Sequence, residues 1–213
     1  MITAAKSQGY SQYTALSSNL AAMVCQPVQA DKQLVVLDVG LATAGTVDWF
    51  SQFKSKLVFL DLYSESFISE ISDNLSHDEL VAQFRQALGL DLDTVIDVCL
   101  FWDFFNYLDI AFLKAFAEAL EPHIASHTRG YGLGVLNARS QLPNASYGLL
   151  GADKLSQCLR SGEQKPIFSY SQRDLDSLLK CFEIDKSRLM SDGRVEYIMA
   201  RRSDGRRVKK AIF

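Results

Sequence analysis

Three acids that close apolar runs are the residues of this chain best suited to hold or activate a ligand. Asp38 ends Leu34-Val35-Val36-Leu37-Asp38-Val39-Gly40, Asp61 ends Leu57-Val58-Phe59-Leu60-Asp61-Leu62, and Asp103 follows Thr94-Val95-Ile96-Asp97-Val98-Cys99-Leu100-Phe101-Trp102. A continuous apolar run is the mark of a strand buried on both faces. After Gly40 come small residues, Ala42, Thr43, Ala44 and Gly45, and then a helical stretch carrying Val47, Trp49, Phe50 and Phe53. A small-residue turn ahead of a helix lets backbone N–H groups approach a ligand closely. An acid ending the next strand is placed to accept from ribose hydroxyls. In an open α/β sheet ligands bind outside the carboxyl ends of the strands, so the segment from Trp102 through Asp103 to Tyr107 faces the same crevice. Each feature also has a plain structural reading: Asp38 as a loop cap, Asp61 as an ordinary strand-end acid, and Trp102, Phe104, Phe105 and Tyr107 as core.

The elements that must position these residues follow from periodicity. Residues 1–33 read as an N-terminal helical segment centred on Thr14 to Val24. Strand, turn, helix and strand over 34–62 make a βαβ unit with a right-handed crossover. Residues 64–93 read as two helices with no strand: Phe67, Ile68, Ile71 and Leu75 at helical spacing, then a capping box at Ser76-x-x-Glu79 leading to Leu80, Phe84, Leu88 and a stop at Gly89. A third strand at 94–102 leads to a helix over 108–120 with Phe112, Leu113, Phe116 and Leu120 on one face, ended by Pro122. Tyr131 to Ala138 is a fourth strand. Residues 139–168 read as a loop-rich insertion with one short helix near Ala152–Leu159. Ser171-x-x-Asp174 caps a last helix, and Lys186–Met190 and Val195–Ala200 flank the turn Ser191-Asp192-Gly193. The expected fold is a three-layer α/β domain at 34–202, its sheet mostly parallel with an antiparallel C-terminal hairpin, followed by a basic tail at 203–213.

Composition narrows the function classes. The 213 residues are 48% hydrophobic and 22% charged, ordinary for a globular chain. The cysteines Cys25, Cys99, Cys158 and Cys181 form no C-x-x-C pair, which reads as reduced thiols in a cytoplasmic protein. No apolar h-region opens the chain, and no window approaches the roughly 18 apolar residues of a membrane span. The net charge of −3 hides an asymmetry: residues 194–213 hold seven Lys/Arg against Glu196 and Asp204. A basic end of this kind is either a partner-binding feature or a solvated terminus, and the acidic body argues against nucleic acid. His123 and His127 follow a helix end with no third ligand nearby, so they read as a surface pair rather than a metal site.

The order of elements, with the Leu37-Asp38-Val39-Gly40 strand end and the later Val95-Ile96-Asp97-Val98, Phe101-Trp102-Asp103 and Asn106-Tyr107-Leu108, resembles class I S-adenosylmethionine-dependent methyltransferases. The resemblance covers roughly residues 34–138, and 171–202 fit the family's closing elements. It implies a Rossmann-like fold and S-adenosylmethionine as cofactor. In that family the first strand ends in an acid-x-Gly-x-Gly-x-Gly loop around the cofactor's methionine part. Asp38 and Gly40 match its first two positions, while Ala42 and Ala44 stand where two further glycines belong, each added Cβ restricting the backbone. Asp61 matches the ribose-binding acid. Trp102 and Asp103 match a strand end beside the methyl group and the acceptor, with Asp103 the candidate general base. One family strand is missing from 64–93. Two functions therefore stand side by side. One is a methyltransferase, acting by in-line displacement on a small-molecule or protein acceptor. The other is a non-catalytic relative that keeps the fold as an interaction or regulatory module with a protein partner.

Overall fold

The computed structural model describes residues 13–25, 32–69, 75–136, 142–162 and 165–203. Its centre is a six-stranded sheet built from β2 (Leu34–Asp38), β3 (Ser55–Phe59), β4 (Ile96–Trp102), β5 (Ile124–Val135), β8 (Phe182–Leu189) and β9 (Arg194–Arg201). The order is β3-β2-β4-β5-β9-β8. The first four strands run parallel, and β9 pairs antiparallel with both β5 and β8. This is the Rossmann-like, mostly parallel sheet with an antiparallel hairpin that the sequence predicts. β4 lies inside the sheet with all seven residues buried, as its unbroken apolar run requires. Beyond β3 no further strand joins the sheet among the described residues.

One face of the sheet is covered by helices. α3 (His77–Leu88) starts at the Ser76–Glu79 capping box and stops at Gly89, whose φ of +56° suits a residue without Cβ. α4 (Ile110–Leu120) is capped by Asp109, which accepts from the Phe112 N–H at 2.9 Å. α5 (Gln172–Leu178) starts at the Ser171–Asp174 box. Their apolar faces, Leu80, Phe84, Phe112, Phe116 and Leu175 among them, close one core against Phe101 and Phe182. Between β3 and α3 the described residues form a 3-10 turn at Leu62–Ser64 and the short α2 (Ser66–Ser69); Ile71 falls outside the described residues.

The opposite face differs from expectation. α1 (Ala44–Phe50) covers part of it, and the rest is covered by a second, antiparallel sheet of β1 (Thr14–Ser17), β7 (Lys154–Leu159) and β6 (Ala145–Gly151), ordered β1-β7-β6. Two readings are corrected here. Thr14–Ser17 is a strand followed by a 3-10 turn at Ala21–Cys25, not a helix, and 154–159 is a strand, not a helix. The reason is tertiary: each short stretch finds its hydrogen bonds in the other, with Leu16 opposite Leu155, and buries Leu155 and Leu149 beneath. The surface reading of His123 is corrected too. Its ring is buried, with Nδ1 2.9 Å from the Thr94 carbonyl, whereas His127 stays half exposed with Nε2 2.9 Å from Asp97. Most of the basic tail, 204–213, lies outside the described residues.

Besides the pairing of β1 with β7, one buried carboxylate fastens the N-terminal segment. Glu196 on β9 is fully buried and accepts from Ser18 Oγ at 2.6 Å, the Asn19 N–H at 2.8 Å and Tyr131 Oη at 3.1 Å. Replacing Glu196 by Gln turns one acceptor oxygen into a donor facing donors. The expected loss is about 1–3 kcal/mol, a fall in melting temperature of several degrees. Limited proteolysis should then cut first between residues 13 and 33, and an unchanged melting curve and digestion pattern would contradict this role.

Candidate ligand crevice at the strand ends

From β2 the chain crosses to β3 on one side and later to β4 on the other, so the crevice opens between the carboxyl ends of β2 and β4. The pairing of Asp38 with Leu100 brings Asp38, Asp61, Trp102 and Asp103 to this one end. The convergence predicted for these residues is therefore present. What occupies the crevice is the protein itself.

Asp38 is buried. Its Oδ1 accepts from the Gly40 N–H at 2.9 Å and from Trp102 Nε1 at 2.7 Å, while Oδ2 has no partner among the described residues. Trp102 reaches it through a backbone with φ of +49°, the one positive value at a non-glycine among the described residues. For a bulky residue that conformation costs of order 1–3 kcal/mol. Gly40 eases the approach, since a Cβ there would stand 3.3 Å from both Asp38 Oδ1 and Trp102 Cδ1. Burial pushes the Asp38 carboxyl up to about 7, against the pull of Gly40, Trp102 and the Arg160 charge.

Asp103 is also fully buried. Its two oxygens accept from Tyr63 Oη at 2.8 Å and Tyr147 Oη at 2.9 Å. Burial raises its carboxyl to about 6, opposed by those two hydroxyls and by Arg194. Arg194 donates to Tyr147 Oη at 2.8 Å and is held on its other side by Asp192. Tyr147, from β6, lies stacked on Trp102 with ring centroids 6.0 Å apart. An Asp103 so engaged is the centre of a buried tyrosine network.

Asp61 meets Arg160, the residue after β7. Arg160 Nη1 lies 3.0 Å from Oδ1, Ser64 Oγ donates to Oδ2 at 2.5 Å, and the guanidinium sits over the Tyr63 ring at 4.9 Å. The small-residue turn is covered as well. Ala42 and Ala44 are exposed, but Thr43, Gly45 and Thr46 lie under β6. Thr46 Oγ1 accepts from the Leu149 N–H at 3.2 Å, and a Cβ on Gly45 would come within 2.5 Å of the Leu149 carbonyl oxygen. Gly148 leaves no room for a Cβ against Thr43 Oγ1. Gly45 and Gly148 thus serve close packing of β6 on the start of α1. S-adenosylmethionine laid along this loop, as the resemblance implies, needs both the loop and the Asp61 carboxylate open.

Tyr63, Tyr147, Arg160 and Arg194 were not singled out by sequence reasoning. Tyr63 carried a weak signal, two residues beyond a strand-end acid. The other three come from the insertion or the hairpin, where nothing in spacing places them over the crevice.

No family model matches the chain, and no curated protein matches it. Solved structures do. A Burkholderia thailandensis 1,6-didemethyltoxoflavin-N1-methyltransferase with bound 1,6-didemethyltoxoflavin and S-adenosylhomocysteine is 15% identical, with a TM-score of 0.48, over 86% of this chain and 76% of that one. The glycopeptide N-methyltransferase MtfA complexed with S-adenosylhomocysteine is 10% identical, with a TM-score of 0.47, over 87% and 91%. The pyocyanin biosynthetic protein PhzM is 14% identical, with a TM-score of 0.44, over 86% of this chain and 55% of its own length. The chain thus spans about half of the last. The Rossmann-like description of the fold rests on the strand order of the sheet itself.

The raised carboxyls give a pH test. A carboxyl whose pKa rises on folding holds its proton more tightly in the native state, so stability falls as pH rises from its unfolded value near 4 to its folded value. For Asp38, with a folded value of about 7, the window is roughly pH 4 to 7, with a slope of at most about 1.4 kcal/mol per pH unit. Asp38→Asn removes this titration while keeping an acceptor for Gly40 and Trp102. Its melting temperature should fall less than that of the wild type between pH 5 and pH 8, as judged by thermal scans; parallel curves would contradict the assignment. Trp102→Phe removes the Nε1 donor and should cost about 1–3 kcal/mol, measured by urea unfolding.

Proposed function

We propose that this methyltransferase-fold chain acts as a non-catalytic interaction or regulatory module, its former cofactor crevice closed by its own second sheet. The observation that carries the reading is the Arg160–Asp61 ion pair at 3.0 Å, which gives the acid matched to ribose binding an internal partner. The cover of β6 over Thr43 to Thr46 supports it, as do Ala42 and Ala44 in place of glycines. The stacking of Trp102 on Tyr147 supports it as well. The partner on this reading is a protein.

A second reading has one observation in its favour. Asp38, Gly40 and Asp61 keep the chemistry of a cofactor site, and the unpartnered Oδ2 of Asp38 makes the closed crevice costly to keep. On that reading S-adenosylmethionine enters when the β6–β7 hairpin lifts, and Asp38, Gly40 and Asp61 hold it while Trp102 and Asp103 face a small-molecule or protein acceptor.

Calorimetric titration with S-adenosylmethionine separates the two. We expect no heat of binding for the wild type at millimolar cofactor, and none for Asp61→Ala. Micromolar binding by the wild type that is lost in Asp61→Ala would overturn the non-catalytic reading.

A further inference from the structure

Arg160 spends only part of its hydrogen-bonding capacity on Asp61. That bond uses Nη1. Nε and Nη2 are shut away from solvent and have no partner among the described residues. These two nitrogens form one edge of the guanidinium, on which two N–H bonds point the same way. That edge matches the paired oxygens of a carboxylate or phosphate. A desolvated, charged donor pair without an acceptor is unfavourable, so the arrangement calls for an acceptor to complete it.

A second cation stands beside it. Lys165 donates from Nζ to the Tyr63 carbonyl at 2.6 Å. Its pKa is lowered by partial burial and then by the Arg160 charge, so the two cations feel one another. Asp61 balances one of them, and it is already shared with Ser64. The guanidinium is fixed in place by Asp61 and by the Tyr63 ring beneath it, so its free edge is pre-oriented. Among the described residues Asp61 is the one carboxylate paired with Arg160.

We propose that Arg160 and Lys165 form a recognition site for a small oxyanion, a carboxylate or phosphate group, beside Asp61. The Nε–Nη2 edge of Arg160 takes two of its oxygens and Lys165 supplies the second charge. The proposal goes beyond the closed-crevice reading: it gives the closed form a ligand of its own, of a chemistry unlike the ribose hydroxyls that Asp61 would otherwise receive.

Inorganic phosphate and acetate are the probes, titrated at constant ionic strength into the 15N-labelled full chain while the Arg160 Nε–H resonance is followed. The expected result is a saturable shift with a millimolar or tighter dissociation constant for at least one anion, and the tighter of the two names the ligand class. Arg160→Lys keeps the charge and loses the paired edge, so it should weaken binding by about tenfold or more; Lys165→Ala should weaken it by a smaller factor. Tyr63→Leu removes the ring beneath the guanidinium and should weaken binding without abolishing it. Absence of saturation at tens of millimolar, with Nε–H merely protected from exchange, would mean that water completes the edge and would overturn the proposal. Equal affinity in a folded Arg160→Lys protein would overturn it as well. Because these titrations contain no S-adenosylmethionine, their failure leaves the cofactor experiment to stand or fall separately.

Discussion

Carboxylates brought together at the ends of buried parallel strands must find donors, and the rest of this structure follows from how they do. Asp38 and Asp103 lie at the ends of β2 and β4 with almost no solvent contact. A buried carboxylate without partners neutralises itself or destabilises the fold. Asp38 therefore draws in the indole of Trp102, whose backbone takes a left-handed conformation to get there. Asp103 draws in two tyrosine hydroxyls, one of them from β6. The strand-end acids thus help to fix the position of the insertion, together with its apolar contacts.

That dependence explains why one set of residues supports two opposite functional readings. An acid and a glycine at the end of the first strand are what a cofactor site needs. They are also what a closed crevice needs once Gly40 admits the Trp102 ring and Gly148 admits Thr43. The closed arrangement is not fully satisfied. Asp38 Oδ2 and two nitrogens of Arg160 are buried without partners among the described residues, so polar capacity remains at the place where ligands of this fold class bind. Closure and retained polarity in one crevice suit a module that responds to a small anion or a partner more than they suit a simple structural remnant.

The two faces of the central sheet were unequally legible. The helical face was read from capping boxes, helical spacing and Gly89, because those signals are local and act within a few residues. On the other face the short stretches 14–17, 145–151 and 154–159 carry weak local preferences. Leu16 and Leu155 become strand partners only because the chain brings together positions 139 apart, a pairing no window of sequence contains. His123 departs from its surface reading for a related reason: its acceptor is the Thr94 carbonyl, just ahead of β4.

The sequence by itself determined the parallel sheet, the helices on one face, the terminal hairpin and the convergence of Asp38, Asp61, Trp102 and Asp103 at one end. Unbroken apolar runs closed by acids leave few other ways to bury such strands. Only the tertiary structure decided what those residues do there. Whether Asp61 faces a ribose or a guanidinium depends on where an insertion a hundred residues away comes to rest. That is set by backbone pairing between short strands and by the demand of buried carboxylates for donors, neither of which leaves a periodic trace along the chain.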